Sequence, residues 1–502
     1  MDGVARRLAG SPEEADGPDP EDPEPLMNPF RFQPPRIVEE SGDGWFVAPH
    51  PEPLASEPPI LEKFLGARYS LIGNWSEDSY LSEVFTFDIL RRRVVVVNAP
   101  EWIKYVLVTK AAVFERKSPQ MRRALEILLG DGLFISDGDT WKRRRPLVSD
   151  IVHKNRVPVF GRTMEEVAQS MADGWAARGP DHRFELTAAM AELTAEIISR
   201  TVFGNGLGPD AARRVIDGFT GYQRLVDSFN LGYFFGWDEG WPLIAGPRRR
   251  RAVAMVHGVV EEVIERHLAG GGDEGSMIDL LVRRARRNPE LGLDMAALRN
   301  EAATIFMAGH ETTATTLTWA LYCVARSPHV EAAILEELAR VCPDRAPTVG
   351  DIEALPWCRA TIDETLRLYP PVPLMPRQAR EADEIAGHRV AAGDLVMIAP
   401  WLTHRARDQW ERPNHFDPAR FLGDAQVNPF VYFPFAVGPR VCPGMNFGHV
   451  EAVLCLATLL QRFRIAPPPE FRAHPVCRLT MRPLDGIPVT AVPRASSEAA
   501  AA

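Results

Sequence analysis

No run in this 502-residue chain approaches the roughly 18 to 20 consecutive apolar residues of a membrane-spanning helix, so no transmembrane anchor is expected. A signal peptide and a Cys-x-x-Cys pair are also missing. The six cysteines (Cys323, Cys342, Cys358, Cys442, Cys455 and Cys477) are scattered without metal-finger spacing. This pattern speaks against a disulfide framework and a zinc ribbon, and makes a reducing, cytoplasmic setting the expectation. Basic excess is lacking as well. The formal net charge is −10, and residues 1–60 hold 13 acids against 4 arginines, which leaves the rest of the chain near neutrality. With no basic field to attract phosphates, nucleic acid is not an expected partner.

What is present is a globular composition, 45% hydrophobic, behind a Pro- and acid-rich start. Residues 1–57 read as a disordered tail, 58–490 as one catalytic body, and the Ala-rich 491–502 as a frayed end. Val84–Asn98, with its run Val94–Val97, reads as paired strands, followed by a short helix over Ala99–Val108. From Val157 to His267 the pattern is helical, interrupted by the Gly/aromatic stretch 229–244, while Arg248–Arg251 reads as a solvated helix start. Asp294 is placed to cap a long helix running to about Ser327, just before Pro328. Its middle, Ala308-Gly309-His310-Glu311-Thr312-Thr313, is poor helix material and predicts a local widening. Val390–Ala399 alternates as strands do, and Leu479–Pro488 predicts closing strands with a turn into a pocket. The fold class is mainly α with small β-sheets (α+β).

One stretch carries chemistry most directly: Phe433 to Gly444, with the pattern F-x-x-G-x-R-x-C-x-G. Cys442 precedes a helix predicted over Met445–Arg464, whose dipole is expected to lower the thiol pKa and favour a metal-bound thiolate. Gly438 and Gly444 allow a flat ligand close to the backbone, Phe435 offers a ring and Arg440 a charge. Trp141 and Arg145 are four apart and share a helix face, a clamp for a carboxylate. Lys142, Arg143 and Arg144 between them read as exposed charge, a docking face for an acidic partner. Glu364-x-x-Arg367 is an i, i+3 acid–base pair, followed by Tyr369-Pro370-Pro371-Val372-Pro373 and later by Phe416-Asp417-Pro418-Ala419-Arg420-Phe421.

In order and separation, these motifs make residues 60–490 resemble the cytochrome P-450 family. The resemblance implies a triangular, helix-rich single domain with its long central helix crossing over a heme b. Cys442 would be the axial ligand, and Trp141, Arg145, Arg377 and Arg440 would hold the propionates, with Phe435 and Gly444 also at the cofactor. Glu311 and Thr312 would deliver protons to the reacting oxygen, leaving His310 no ligand role. Glu364, Arg367 and Arg420 would form a buried network fixing the cysteine loop. The implied function is a monooxygenase that uses O2 and two electrons to hydroxylate or epoxidise a hydrophobic compound of fatty-acid, alkane or terpene-like character. Leu125, Leu128, Phe306, Ala308, Val372, Leu374, Met375 and Met481 would line its pocket. No reductase module follows, so a ferredoxin or flavodoxin with an NAD(P)H-dependent reductase is the expected donor. A heme-thiolate peroxygenase or isomerase and a non-catalytic heme sensor are the rivals; the Glu311-Thr312 pair favours the monooxygenase over the first of these.

Overall fold

The computed structural model describes residues 34–39, 45–89, 92–204, 208–225, 246–272, 274–423 and 426–494. The chain divides into two units after Pro34, and the fold and the site belong to the second, Pro35–Ala502. The aromatic break at 229–244 and most of the acidic tail lie outside the described residues. Packing begins earlier than the expected boundary at 58. Phe46 and Ala48 are buried, Ile37–Val38 pairs with His50–Pro51, and the Tyr369 hydroxyl donates to the Pro49 carbonyl at 2.9 Å. Apolar residues set among the prolines give this segment something to bury.

The largest sheet has five strands: β1 (Val84–Ile89), β2 (Arg92–Val97), β3 (Arg116–Lys117), β4 (Met375–Gln378) and β5 (Leu395–Ile398). Its order is β1-β2-β5-β4-β3. Only β2 and β5 run parallel; the other pairs are antiparallel. The β-branched run Val94–Val97 is buried throughout, as an inner strand covered on both faces requires. A closing hairpin, β6 (Pro475–Cys477) with β7 (Met481–Pro483), turns at residues 478–480.

Six helices position the site: α1 (Pro119–Leu129), α2 (Gly138–Ile151), α3 (Leu186–Phe203), α4 (Met295–Ala325), α5 (Pro356–Leu368) and α6 (Met445–Arg462). At 31 residues α4 is about 46 Å long. Asp294 caps it by accepting from the Ala297 N–H at 2.8 Å, and Pro328 opens the next helix. The expected widening at 308–313 does not occur. The threonines leave the ladder intact and donate to their own helix, Thr312 Oγ1 to the Ala308 carbonyl at 2.6 Å and Thr316 Oγ1 to that of Thr312 at 2.8 Å. Gly309 has a packing reason: a Cβ there would come within 2.6 Å of Ile198, so its absence lets α3 and α4 approach closely. Among the described residues no helix is long and apolar enough to cross a membrane.

Candidate active site

The cysteine loop is folded by its own backbone. The Cys442 N–H donates to the Phe435 carbonyl at 2.8 Å, and Ala436 sits at φ 58° within the turn. Gly438 has φ 75°, and a Cβ there would fall 2.3 Å from the Leu107 carbonyl oxygen, so no other residue fits. The Cys442 thiol opens into a cavity of about 290 Å³. Burial pushes its pKa up; the Gly444 N–H, Arg145 and Lys117 pull it down but are outweighed. The lowering expected from the helix start is therefore overturned by desolvation in the protein alone.

One end of this cavity gathers positive charge. Trp141, Arg145, Arg377 and Arg440 all line it, as expected, and so does Lys117, which the motifs did not reveal. The Arg440 guanidinium lies 4.1 Å over the Trp141 ring and donates to the Ser136 carbonyl at 2.9 Å, but its Nε and Nη2 have no hydrogen-bond partner among the described residues. Burial pushes both Arg377 and Arg440 down to about 10 and lowers Lys117 well below the usual lysine value. The nearest carboxylate to Arg440 is Glu115, at 3.8 Å. Arg144 departs from the expected exposed run: it is buried, held by Asp131 at 2.8 Å and Glu301 at 3.2 Å, and ties α2 to α4. Its position 100° around the helix from Arg145 turns it inward. Lys142 and Arg143 are exposed.

The facing wall comes from α4 and the closing hairpin. Ala308, Gly309, Glu311 and Thr312 line it, and the Thr480 hydroxyl donates to Glu311 Oε1. His310 points away into the core; burial lowers it to about 4. Leu125, Val372 and Met375 line the cavity, joined by Leu133, Phe134, Ile305 and Leu479. Four expected lining residues do not. Phe306 is fully buried between Phe203 and Phe219, Leu128 and Met481 are in the core, and Leu374 faces a second cavity. Phe306 stands about 200° around the helix from Ala308. Met481 is held in β7, so the preceding turn residues reach the cavity instead.

Below the loop, Arg367 and Glu364 form a bidentate pair at 2.6 and 2.7 Å, both side chains fully buried. Arg367 also donates to the carbonyls of His404, Pro413 and His415, and Glu364 accepts from the Asp417 N–H. Arg420 Nε stands 3.4 Å from Glu364. His404 extends the network: its ring bonds to the Arg367 carbonyl at 3.2 Å and accepts from the Phe433 N–H at 3.1 Å. Burial, reinforced by Arg367, lowers it to about 3.

A thiol in the cavity wall, glycines where the chain must pass close, and a cluster of cations at one end of which, among the described residues, only Arg440 has a carboxylate within 4 Å fit a flat, dianionic macrocycle whose metal takes sulfur. Fold and site together define a heme-thiolate protein. The chain belongs to the cytochrome P450 family, whose model matches residues 74–484. It is 32% identical over 411 residues to cyclooctatin synthase of Streptomyces melanosporofaciens, covering 79% of this chain and 86% of that protein. It is 27% identical to cyclooctat-9-en-7-ol 5-monooxygenase of the same organism, covering 75% and 81%. Cytokinin hydroxylase of Arabidopsis thaliana is 28% identical, over 77% and 76%. The crystal structure of the cytochrome P450DA heme domain superposes with a TM-score of 0.72 at 24% identity, covering 88% and 95%. The protein is thus a heme monooxygenase with a cysteine-thiolate ligand, dependent as its family is on O2 and redox partners.

Proposed function

We propose that Cys442 supplies the thiolate ligand and that this enzyme hydroxylates or epoxidises an apolar, terpene-like compound with electrons from a ferredoxin or flavodoxin and its NAD(P)H-dependent reductase. The observation that carries this reading is the convergence on one cavity of the Cys442 thiol, the cations Lys117, Arg145, Arg377 and Arg440, and the Glu311-Thr312 pair. Thiolate-ligated heme supplies dioxygen cleavage and the oxidising equivalent for the substrate. The balance is substrate, O2, two electrons and two protons giving the oxygenated product and water.

The residues divide the work by position. Trp141 and the four cations would hold the propionates, whose charges would balance a cluster in which only Arg440 has a carboxylate nearby among the described residues. Phe435 and Gly444, which line the same cavity, would shape the surface under the macrocycle. Glu364, Arg367 and Arg420 fix the loop from beneath, a use of buried charge for placement rather than net stability. Thr312, whose hydroxyl donates to the Ala308 carbonyl, presents oxygen lone pairs to the cavity, and Glu311 beside it, which accepts from the Thr480 hydroxyl, would relay protons from solvent. The apolar lining and a relative named for an alkenol support a hydrophobic substrate. The exposed Lys142 and Arg143 support an acidic electron donor, and six free cysteines support a cytoplasmic setting. The test is optical: reduced protein with carbon monoxide is expected to absorb at about 450 nm. A band at about 420 nm in intact protein removes Cys442 as ligand.

A further inference from the structure

Leu133 and Phe134, two side chains of the cavity wall, come from the loop that joins α1 to α2. That loop is laid flat on α4. Gly130 has φ 54°, and a Cβ there would run into the Asn300 amide, while one on Gly132 would run into Thr304 Oγ1. Charge then pins what the glycines bring close. Arg144, reaching from α2, donates to the Asp131 carbonyl at 2.6 Å and to both Asp131 carboxyl oxygens at 2.8 Å. Asn300 adds a bond to Asp131 Oδ1 at 3.0 Å. Glu301, the next residue on α4, accepts from Arg144 on Oε1 and from the Leu133 N–H on Oε2, both at 3.2 Å. Its fully buried side chain thus holds the backbone of a wall residue directly.

One cation shared between two carboxylates leaves the buried member incompletely compensated. Burial pushes Glu301 up to about 7, against the pull of Arg144 and the Leu133 N–H and with a push from Asp131. Asp131 stays ionised, because bonds from Arg144 and Asn300 outweigh its burial. Charged groups on the neighbouring elements are engaged elsewhere. Arg122 on α1 pairs with Asp137 at 2.8 Å, Glu261 of the helix Pro247–Leu268 with Arg299 at 2.6 Å, and His257 of that helix bonds to the Leu128 carbonyl at 2.8 Å. On Met277–Arg287, Asp279 pairs with Arg283 at 2.8 Å and Arg284 with Asp150 at 2.7 Å. We propose that Glu301 and Arg144 are positioning residues for the substrate wall, and that the charge on Glu301 sets how firmly Leu133 and Phe134 are held against the cavity. Ionised, Glu301 grips both Arg144 and the Leu133 N–H; protonated, it gives up the ion pair and accepts more weakly. The wall is therefore firm above pH 7 and loose below it. A firm wall binds a bulky apolar group better, since less ordering is left to do. This rests on the monooxygenase reading and adds to it a determinant of selectivity.

The test compares the ferric holoenzyme at pH 6 and pH 8 with Glu301→Gln, a neutral isostere that stands in for the low-pH state. Amide hydrogen exchange across residues 131–136, corrected for its intrinsic pH dependence, should slow about tenfold from pH 6 to pH 8 in wild type. Glu301→Gln should keep the wild-type pH 6 rate throughout. The second readout is the preference of the iron for 4-phenylimidazole over imidazole, taken as wild type over variant so that titration of the probes cancels. That ratio should be near one at pH 6 and about tenfold at pH 8. Exchange that is flat with pH in wild type, a variant as protected as wild type at pH 8, or a ratio that fails to rise would each overturn the proposal. Should the variant not fold, the wild-type exchange profile still decides. The carbon monoxide band is the separate control. Its absence from wild type removes the heme-thiolate reading itself, whereas a normal band with any of these three results removes only the positioning role.

Discussion

Replacing Lys117 by methionine separates two opposite effects of one charge. The side chain projects from β3 with its ammonium 4.7 Å from the Phe134 ring centroid, among Arg377, Arg440 and the Cys442 thiol. Burial first, and repulsion from the two arginines second, hold its pKa well below 10.5. A lysine depressed in the folded state weakens the fold at low and neutral pH, and that deficit fades as pH rises to 10.5, where the unfolded chain also loses its proton. The heme-free Lys117→Met variant should therefore resist urea better than wild type at pH 7, with the gain shrinking toward pH 10.5. The lost cation–π contact, about 0.5–1 kcal/mol, trims this gain. With heme bound the sign reverses, because the ammonium then has an anionic partner. A hydrogen bond to a charged group contributes about 1.5–3 kcal/mol, so heme loss should accelerate by about ten- to a hundredfold. The assays are urea midpoints of the heme-free protein and heme transfer to excess apomyoglobin, with Lys117→Arg expected to retain heme. Heme transfer at the wild-type rate, or a heme-free variant less stable at pH 7, refutes the reasoning.

Glu364→Ala leaves the fully buried Arg367 without its carboxylate, a loss of about 3–5 kcal/mol; purified protein should hold little heme, and a full Soret band at wild-type thermal stability would contradict the network's role. Thr312→Ala should bind heme normally yet divert electrons to hydrogen peroxide, so unchanged coupling of NAD(P)H oxidation to product rules Thr312 out. Glu451, on α6, is fully buried, neither carboxyl oxygen has a hydrogen-bond partner among the described residues, and burial raises its pKa well above 4.5. An acid raised in the folded state costs stability as pH climbs above 4.5, by about 1.4 kcal/mol per unit until it ionises. Glu451→Gln should therefore match wild type at pH 4.5 and exceed it at pH 8, and parallel urea midpoints across that range would count against it.

Much of the site was legible because it is written in short, fixed spacings. Trp141 with Arg145 and Glu364 with Arg367 each lie within one helical turn, and Arg440 with Cys442 within one loop, so sequence separation fixes their geometry. The long central helix was legible for a related reason: Asp294 and Pro328 mark its ends and nothing between them breaks it. What was hidden depends on distant contacts. Lys117 reads as an ordinary loop lysine until β3 pairs with β4 and sets it opposite Arg377. Phe306 was misplaced because hydrophobicity names a core residue without saying which side of α4 it occupies. The upward push on the Cys442 thiol in the protein without its cofactor was hidden because a helix start is visible in sequence and burial is not.

His404 shows how such a hidden residue can complete a motif that was visible. Its Nε2 accepts from the Phe433 N–H, so Nδ1 carries the proton donated to the Arg367 carbonyl. Only the neutral ring can make both bonds at once, since a protonated Nε2 has no lone pair to accept with. Burial that holds the ring at about 3 therefore keeps the link between the Glu364–Arg367 pair and the cysteine loop intact throughout the neutral range. The pair on α5 is thus joined to Phe433, at the start of the loop carrying Cys442, through an imidazole that neither motif contains.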